Sequence, residues 1–186
     1  MGFADGEWLE PEDLAQEVLH EAQDVGRYRA LSARDHLRRL APDCQLRPFL
    51  GALTEHHAST VLPGYQMVLD AGGDLQVSCA AAHYCQASGT PLIRSQVLGA
   101  TALVWTVLTG AAAACPHQQP CPGAPAPAFA SIAAGVAGSL AAGEALRILL
   151  GEPPQLAEEV LIFEALTGRV TRSRRSSGAD CPHCTH

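Results

Sequence analysis

Apolar positions recur at helical spacing twice near the start of the chain. In "PEDLAQEVLHEAQDVG" (11–26), Pro11 suits a first turn, acidic residues follow, and Gly26 suits a stop. That order predicts a capped amphipathic helix. In "RYRALSARDHLRRLAP" (27–42), Ala30, Leu31, His36, Leu37 and Leu40 mark one face of a second helix, and Pro42 ends it. The pattern then changes. "CQLRPFLGAL" (44–53) reads as a short strand and a turn, and "YQMVLDAG" (65–72) as a buried strand ending in a carboxylate. "VSCAAAHYCQASG" (77–89) reads as a helix stopped by Gly89, and "TPLIRSQVLG" (90–99) and "ATALVWTVLTG" (100–110) as two strands. The Pro-rich stretch 115–127 reads as a loop. "ASIAAGVAGSLAAGEALRILLG" (130–151) is a helix with small residues along one side, so a neighbouring backbone can come close, and Gly151 caps it. "AEEVLIFEALTGRVTRS" (157–173) is a hairpin turning at Thr167-Gly168.

Strand–helix–strand alternation over one domain of 186 residues predicts an α/β fold. Its sheet would be largely parallel, with helices outside it and an antiparallel hairpin at the C-terminal end. Continuously apolar runs fit buried elements of such a core. They raise a second idea, because Ser95 to Gly143 holds no Asp, Glu, Lys or Arg and its first half is about long enough to span a bilayer. Ala, Gly and Thr dominate it, however, so its transfer energy is weak and it lacks orienting basic flanks. A membrane hairpin is therefore not expected.

Charge narrows the partners. A net charge of −7 argues against a nucleic-acid surface. The one basic run, Arg169 to Arg175, reads as part of a solvated tail (169–186). The seven cysteines are an odd number, and "MGFADGEWLEPEDLAQE" has neither a basic nor an apolar leader region. Reduced thiols in a cytoplasm follow as the expectation, with metal binding the natural use of paired ones. Cys181 and Cys184 have tight C-x-x-C spacing, whereas Cys115 and Cys121 are separated by "PHQQP", wide for one knuckle. Zinc and free loop thiols both remain open on spacing alone.

Five stretches together resemble the MoeB/ThiF family of ubiquitin-activating-type adenylyltransferases. They are "ADGEWLEPEDLAQEVLHEAQDVGRYRA" (4–30), "YQMVLDAGGD" (65–74), "SGTPLIRSQVLG" (88–99), "GVAGSLAAGEALRILLG" (135–151) and the terminal "CPHC" (181–184). The resemblance covers almost the whole chain. It implies a Rossmann-like domain that uses ATP and magnesium to adenylate the C-terminal glycine of a ubiquitin-like sulfur-carrier protein, and that works as a homodimer. It also implies a structural zinc held by Cys115, Cys121, Cys181 and Cys184, with His117 or His183 as substitutes. Four protein ligands leave such a metal no open position for catalysis.

Carried over position by position, the resemblance places Glu7 at the ribose hydroxyls and Arg29 where the family has a phosphate-binding lysine. Asp70 is the strand-end carboxylate, and Asp74 stands one residue after Gly73, which occupies the place of the magnesium-binding aspartate. Gln16 takes the place of the arginine that steadies the phosphates. "PAPAFASIAAGVAG" (125–138) lacks the family's reactive cysteine; Cys79 and Cys85 read as buried small hydrophobes. The family also opens with a strand and a glycine-rich phosphate turn. "MGFADGEWLE" corresponds to the strand after that unit. Either a longer active protein or a truncated, degenerate relative that acts as a binding partner is expected.

Overall fold

The computed structural model describes residues 1–108 and 127–174. It divides into two compact units, Met1–Leu53 and the residues from Thr54 onward.

The first unit holds strand β1 (Gly2–Ala4), helix α1 (Arg29–Leu40) and strand β2 (Arg47–Phe49), with β1 and β2 paired in parallel. Helix α1 lies where the apolar spacing puts it, but its inward face is Ala30, Ser32 and His36, while Leu40 is exposed. The helix expected over 11–26 does not form. Only two short 3-10 turns occur there, Asp13–Ala15 and Ala22–Asp24. The reason is local competition. Asp13 Oδ2 accepts from the Glu10 N–H at 2.8 Å, and Asp24 Oδ2 from the Glu21 N–H at 3.0 Å. Short acidic side chains that bond nearby backbone in this way favour turns over helix. Val18, one of the apolar residues of that stretch, is 98% exposed and buries nothing there.

Asp24 anchors this unit. It is buried and accepts from Arg27 NH1 at 2.7 Å, while His36 Nε2 lies 2.6 Å from its Oδ2. Arg39 donates to the other ring nitrogen of His36, which leaves Nε2 as the protonated one facing Asp24. Burial opposes ionisation of Asp24, but the hydrogen bonds from His36, the Glu21 N–H, Ser32 and Arg27 outweigh it and hold the carboxyl well below its usual range. The folded pKa lies under the unfolded one, so the stabilisation is complete above the ordinary value of 3.8 and is lost progressively as pH falls from there toward the lower folded value. Asp24→Asn should lower the urea midpoint at neutral pH. Its deficit against wild type should shrink once pH drops below about 4. A deficit that stays constant down to pH 3 would contradict this.

The second unit contains α2 (Glu55–Val61), β3 (Val68–Asp70), α3 (Leu75–Ser88), β4 (Leu92–Leu98), β5 (Thr101–Val107), α4 (Pro127–Leu149), β6 (Glu159–Glu164) and β7 (Arg169–Arg174). The strands form one sheet in the order β3-β4-β5-β6-β7. The α/β class holds, and so does the closing hairpin, with Gly168 in its turn at φ 68°. Parallel pairing is confined to β1–β2 and β3–β4; β4–β5, β5–β6 and β6–β7 run antiparallel. Alternation cannot report this, because Gly99-Ala100 joins β4 directly to β5 and leaves no room for a crossover helix. Helix α2 carries no apolar stripe; its only signal is Thr54, whose side chain accepts from the His57 N–H at 3.3 Å.

Helix α4 packs on one sheet face. Ala133, Ala137 and Ala141, one helical turn apart, meet Ile93, Ala102, Val104, Leu156 and Leu161. The close-approach side is thus alanine. A Cβ placed on Gly135, Gly138 or Gly143 would meet nothing within 4 Å. The outer side also exposes Ile132, Leu146 and Leu149. By length and composition alone Ala128–Leu149 could cross a bilayer. The hairpin partner proposed by hydropathy is instead strands β4 and β5. Strand β7 is exposed throughout.

Candidate functional site

Two clusters hold the residues singled out by sequence, one in each unit. In the first, Glu7 and Arg29 do meet: an Arg29 NH2 group donates to Glu7 Oε2. The same guanidinium bonds Glu17 Oε1 at 3.0 Å and faces Asp13 Oδ2 at 3.6 Å. Burial alone would weaken its charge, but the carboxylates of Glu17, Asp5, Glu7 and Asp13 outweigh that and hold its proton more firmly. Burial, more than the opposing Arg29 charge, pushes the Glu17 carboxyl up. Arg29 is therefore enclosed by acids. A phosphate would have to displace Glu7 or Glu17 to reach it, and it would meet their negative charge on the way. Gln16 closes the first 3-10 turn through its backbone and is exposed.

In the second cluster, Asp70 ends β3 and is buried. Its Oδ2 accepts from Ser78 Oγ at 2.7 Å and from Arg94 Nε at 3.1 Å, and its Oδ1 accepts from the Gly72 N–H at 3.2 Å. Parallel register sets this up, since Asp70 lies opposite Arg94 on β4. Arg94 in turn lies opposite Trp105 on β5, with its guanidinium carbon 5.1 Å from the ring centroid. Strand alternation puts Ile93 on the α4 face and Arg94 on the other, toward Ser78 of α3.

Asp74 does not join this cluster. Its Oδ1 accepts from the Gln76 and Val77 N–H groups at 2.7 and 3.3 Å, the N-cap of α3. With Asp70 committed to Arg94, Ser78 and Gly72, and Gly73 bearing no ligand, the described residues do not fit a magnesium ion. No cluster of three or more His, Cys, Asp or Glu suited to a metal occurs among them. Cys115, Cys121, Cys181 and Cys184, with His117 and His183, lie outside the described residues. Cys85 is buried. Desolvation first, and Asp70 second, push its thiol up to about 12, so it stays protonated and is no nucleophile.

Arg94, Ser78 and Trp105 were not singled out by sequence reasoning. One signal was present: Arg94 is the single charge inside an otherwise uncharged strand, where a charge is rare unless paired.

Comparison with known proteins gives the fold and the family. The chain is 29% identical over 192 residues to "Adenylyltransferase and sulfurtransferase MOCS3" of Sus scrofa, covering 99% of this chain and 42% of that protein. It is 29% identical over 196 residues to "Sulfur carrier protein adenylyltransferase" of Thermus thermophilus, covering 99% of this chain and 72% of that one. Among solved structures it superposes on E. coli MccB with ATP at a TM-score of 0.78, with 14% identity, over 98% of this chain and 58% of MccB. The chain thus spans about two-fifths of the MOCS3 length. The model of the family described as "ThiF family" matches residues 1–185, and the chain belongs to that family.

Proposed function

We propose that this chain takes part in ATP-dependent adenylation of the C-terminal glycine of a ubiquitin-like sulfur-carrier protein, in the cytoplasm. The observation that carries this is the match to the ThiF family over residues 1–185, alongside relatives named as sulfur-carrier adenylyltransferases. In that reaction a carboxylate oxygen of the carrier attacks the α-phosphorus of ATP, pyrophosphate leaves, and an acyl-adenylate remains. ATP would supply the adenylyl group. The chain's own share is to orient the carrier's tail and to balance charge where it develops.

A second reading is a degenerate relative that binds a carrier or an activating subunit without turnover. Two observations favour it: acids enclose Arg29, and Gly73 and Gln16 stand where charged residues are expected. ATP–pyrophosphate exchange separates the two. Exchange that depends on a carrier ending in Gly-Gly supports the first reading. Carrier binding without exchange supports the second.

The zinc ligand set Cys115, Cys121, Cys181 and Cys184 belongs to the same proposal. Metal analysis of the purified chain should find one zinc per chain, and none after all four are changed to Ser. The exposed outer side of α4, with Ile132, Gly135, Ser139 and Leu146, supports pairing with a second copy rather than burial in lipid, because its other side already packs on the sheet. Light scattering should give a mass near twice 19.5 kDa. A stable monomer would refute the pairing.

A further inference from the structure

The Arg94 guanidinium is incompletely used. Its Nε bonds Asp70, but both terminal nitrogens are buried and have no hydrogen-bond partner among the described residues. The residue is 1% exposed. A buried polar group without a partner is costly, and native structures leave few of them. Asp70 balances the charge, so what the site lacks is acceptors. Two parallel N–H-bearing nitrogens on a flat guanidinium form a fork that fits two oxygens of one planar or tetrahedral anion. Asp70 fixes the near edge of that fork and Trp105 covers its face. Ser78 holds the second lone pair of the same Asp70 oxygen, so the carboxylate cannot swing to satisfy the fork itself.

The chain beside Asp70 is small and exposed. Residues 71–73, directly after Asp70, are Ala-Gly-Gly and are exposed. A Cβ on Gly73 would meet nothing within 4 Å, and one on Gly72 would face Asp70 Oδ1 at 3.6 Å. Nothing bulkier than a methyl therefore stands on the segment beside Asp70. The site also sits at the carboxyl end of β3, in the parallel part of the sheet, where α/β folds take their ligands.

We infer that Arg94, clamped by Asp70, Ser78 and Trp105, is an oxyanion-binding fork that takes a carboxylate or phosphate group of the substrate. The inference rests on the proposed adenylation only for its choice of probes. Those are the free carboxylate of a Gly-Gly terminus and inorganic phosphate.

The test uses the full chain with Trp8→Phe, which leaves Trp105 as the sole tryptophan of the two in the sequence. Its fluorescence is titrated at constant ionic strength with inorganic phosphate, with diglycine, and with diglycine amide. A saturable change with phosphate or diglycine, absent with the amide, is expected. Phosphate alone would assign the fork to the nucleotide, and diglycine alone to the carrier's terminus. Arg94→Lys keeps a charge beside Asp70 but loses the fork, so affinity should fall at least about tenfold. A thermal melt shows whether that variant is folded; if it is not, the three titrations of the parent decide. No saturable change with either oxyanion, an equal response to the amide, or unchanged affinity in folded Arg94→Lys would overturn the inference. A protein that passes these titrations but shows no pyrophosphate exchange keeps the fork and loses the adenylation.

Discussion

Asp70→Ala should be among the most destabilising single substitutions in this protein. It leaves the Arg94 guanidinium buried beneath α3 with no carboxylate, and it removes the acceptor of Ser78. Removing one partner of a buried ion pair costs about 3–5 kcal/mol, because the surviving charge stays out of water. For a chain of this size, Tm should fall by roughly 10 °C. The interpretation depends on charge rather than volume, and a second variant separates them. Asp70→Ala combined with Arg94→Met removes both charges. Replacing a buried pair with apolar groups is often close to neutral, so the double variant should recover most of the lost Tm. If it melts no higher than Asp70→Ala alone, the loss came from packing, and the account of Asp70 as the counter-charge fails. Asp70→Asn should fall between the two, since the amide still offers an oxygen to Ser78.

Glu144→Ala should cost nearly as much, on the sheet face that carries α4. Glu144 lies on α4 and is buried. Its Oε2 accepts from Thr106 Oγ1 at 2.8 Å and the Leu156 N–H at 3.1 Å, and its Oε1 accepts from the Gln155 N–H at 3.1 Å. The carboxylate thus ties α4 both to β5 and to the segment that enters β6. Leu156 is itself in the core, and its carbonyl accepts from the Thr106 N–H at 2.9 Å. Losing one acceptor strands several buried donors at once, worth about 2–4 kcal/mol. Glu144→Gln retains one carbonyl oxygen and should lose about half of that. Hydrogen exchange gives an independent reading. The Leu156 amide should exchange faster in Glu144→Ala than in wild type, while amides in β3 should not change. Uniform acceleration through the sheet would mean global destabilisation instead of a local tie.

How far the sequence reaches can be judged from these same residues. Helix α4 and the β6–β7 hairpin were legible because long apolar periodicity and a Thr-Gly turn are local signals. Glu144 is the first charge after a 49-residue uncharged run (95–143), a signal the sequence reading did not use, and nothing local says what it would bond. The misread helix over 11–26 shows the opposite limit. Its apolar spacing was real, but Asp13 and Asp24 turn to backbone N–H groups, and Glu17 turns to Arg29 of the next helix. Periodicity is blind to that competition. The family resemblance gave Glu7 and Arg29 separate roles, at the ribose and at the phosphates; their ion pair, 22 residues apart, was not legible. Arg94 opposite Asp70 was not legible, because it requires the parallel register of β3 on β4 across 24 residues.

Strand β7 has one further consequence. As the last strand of its sheet it presents an edge that no other strand among the described residues pairs with, the surface on which a second chain could lay down another strand. Arg169, Arg172 and Arg174 recur along it, and Arg172 and Arg174 lie near Glu159 and Glu158. An identical strand brought alongside would set arginine against arginine, and charged side chains on such edges discourage that growth. At the far end, β3 is only three residues long and gives little to template on. Both margins of the sheet therefore resist open-ended stacking into fibres.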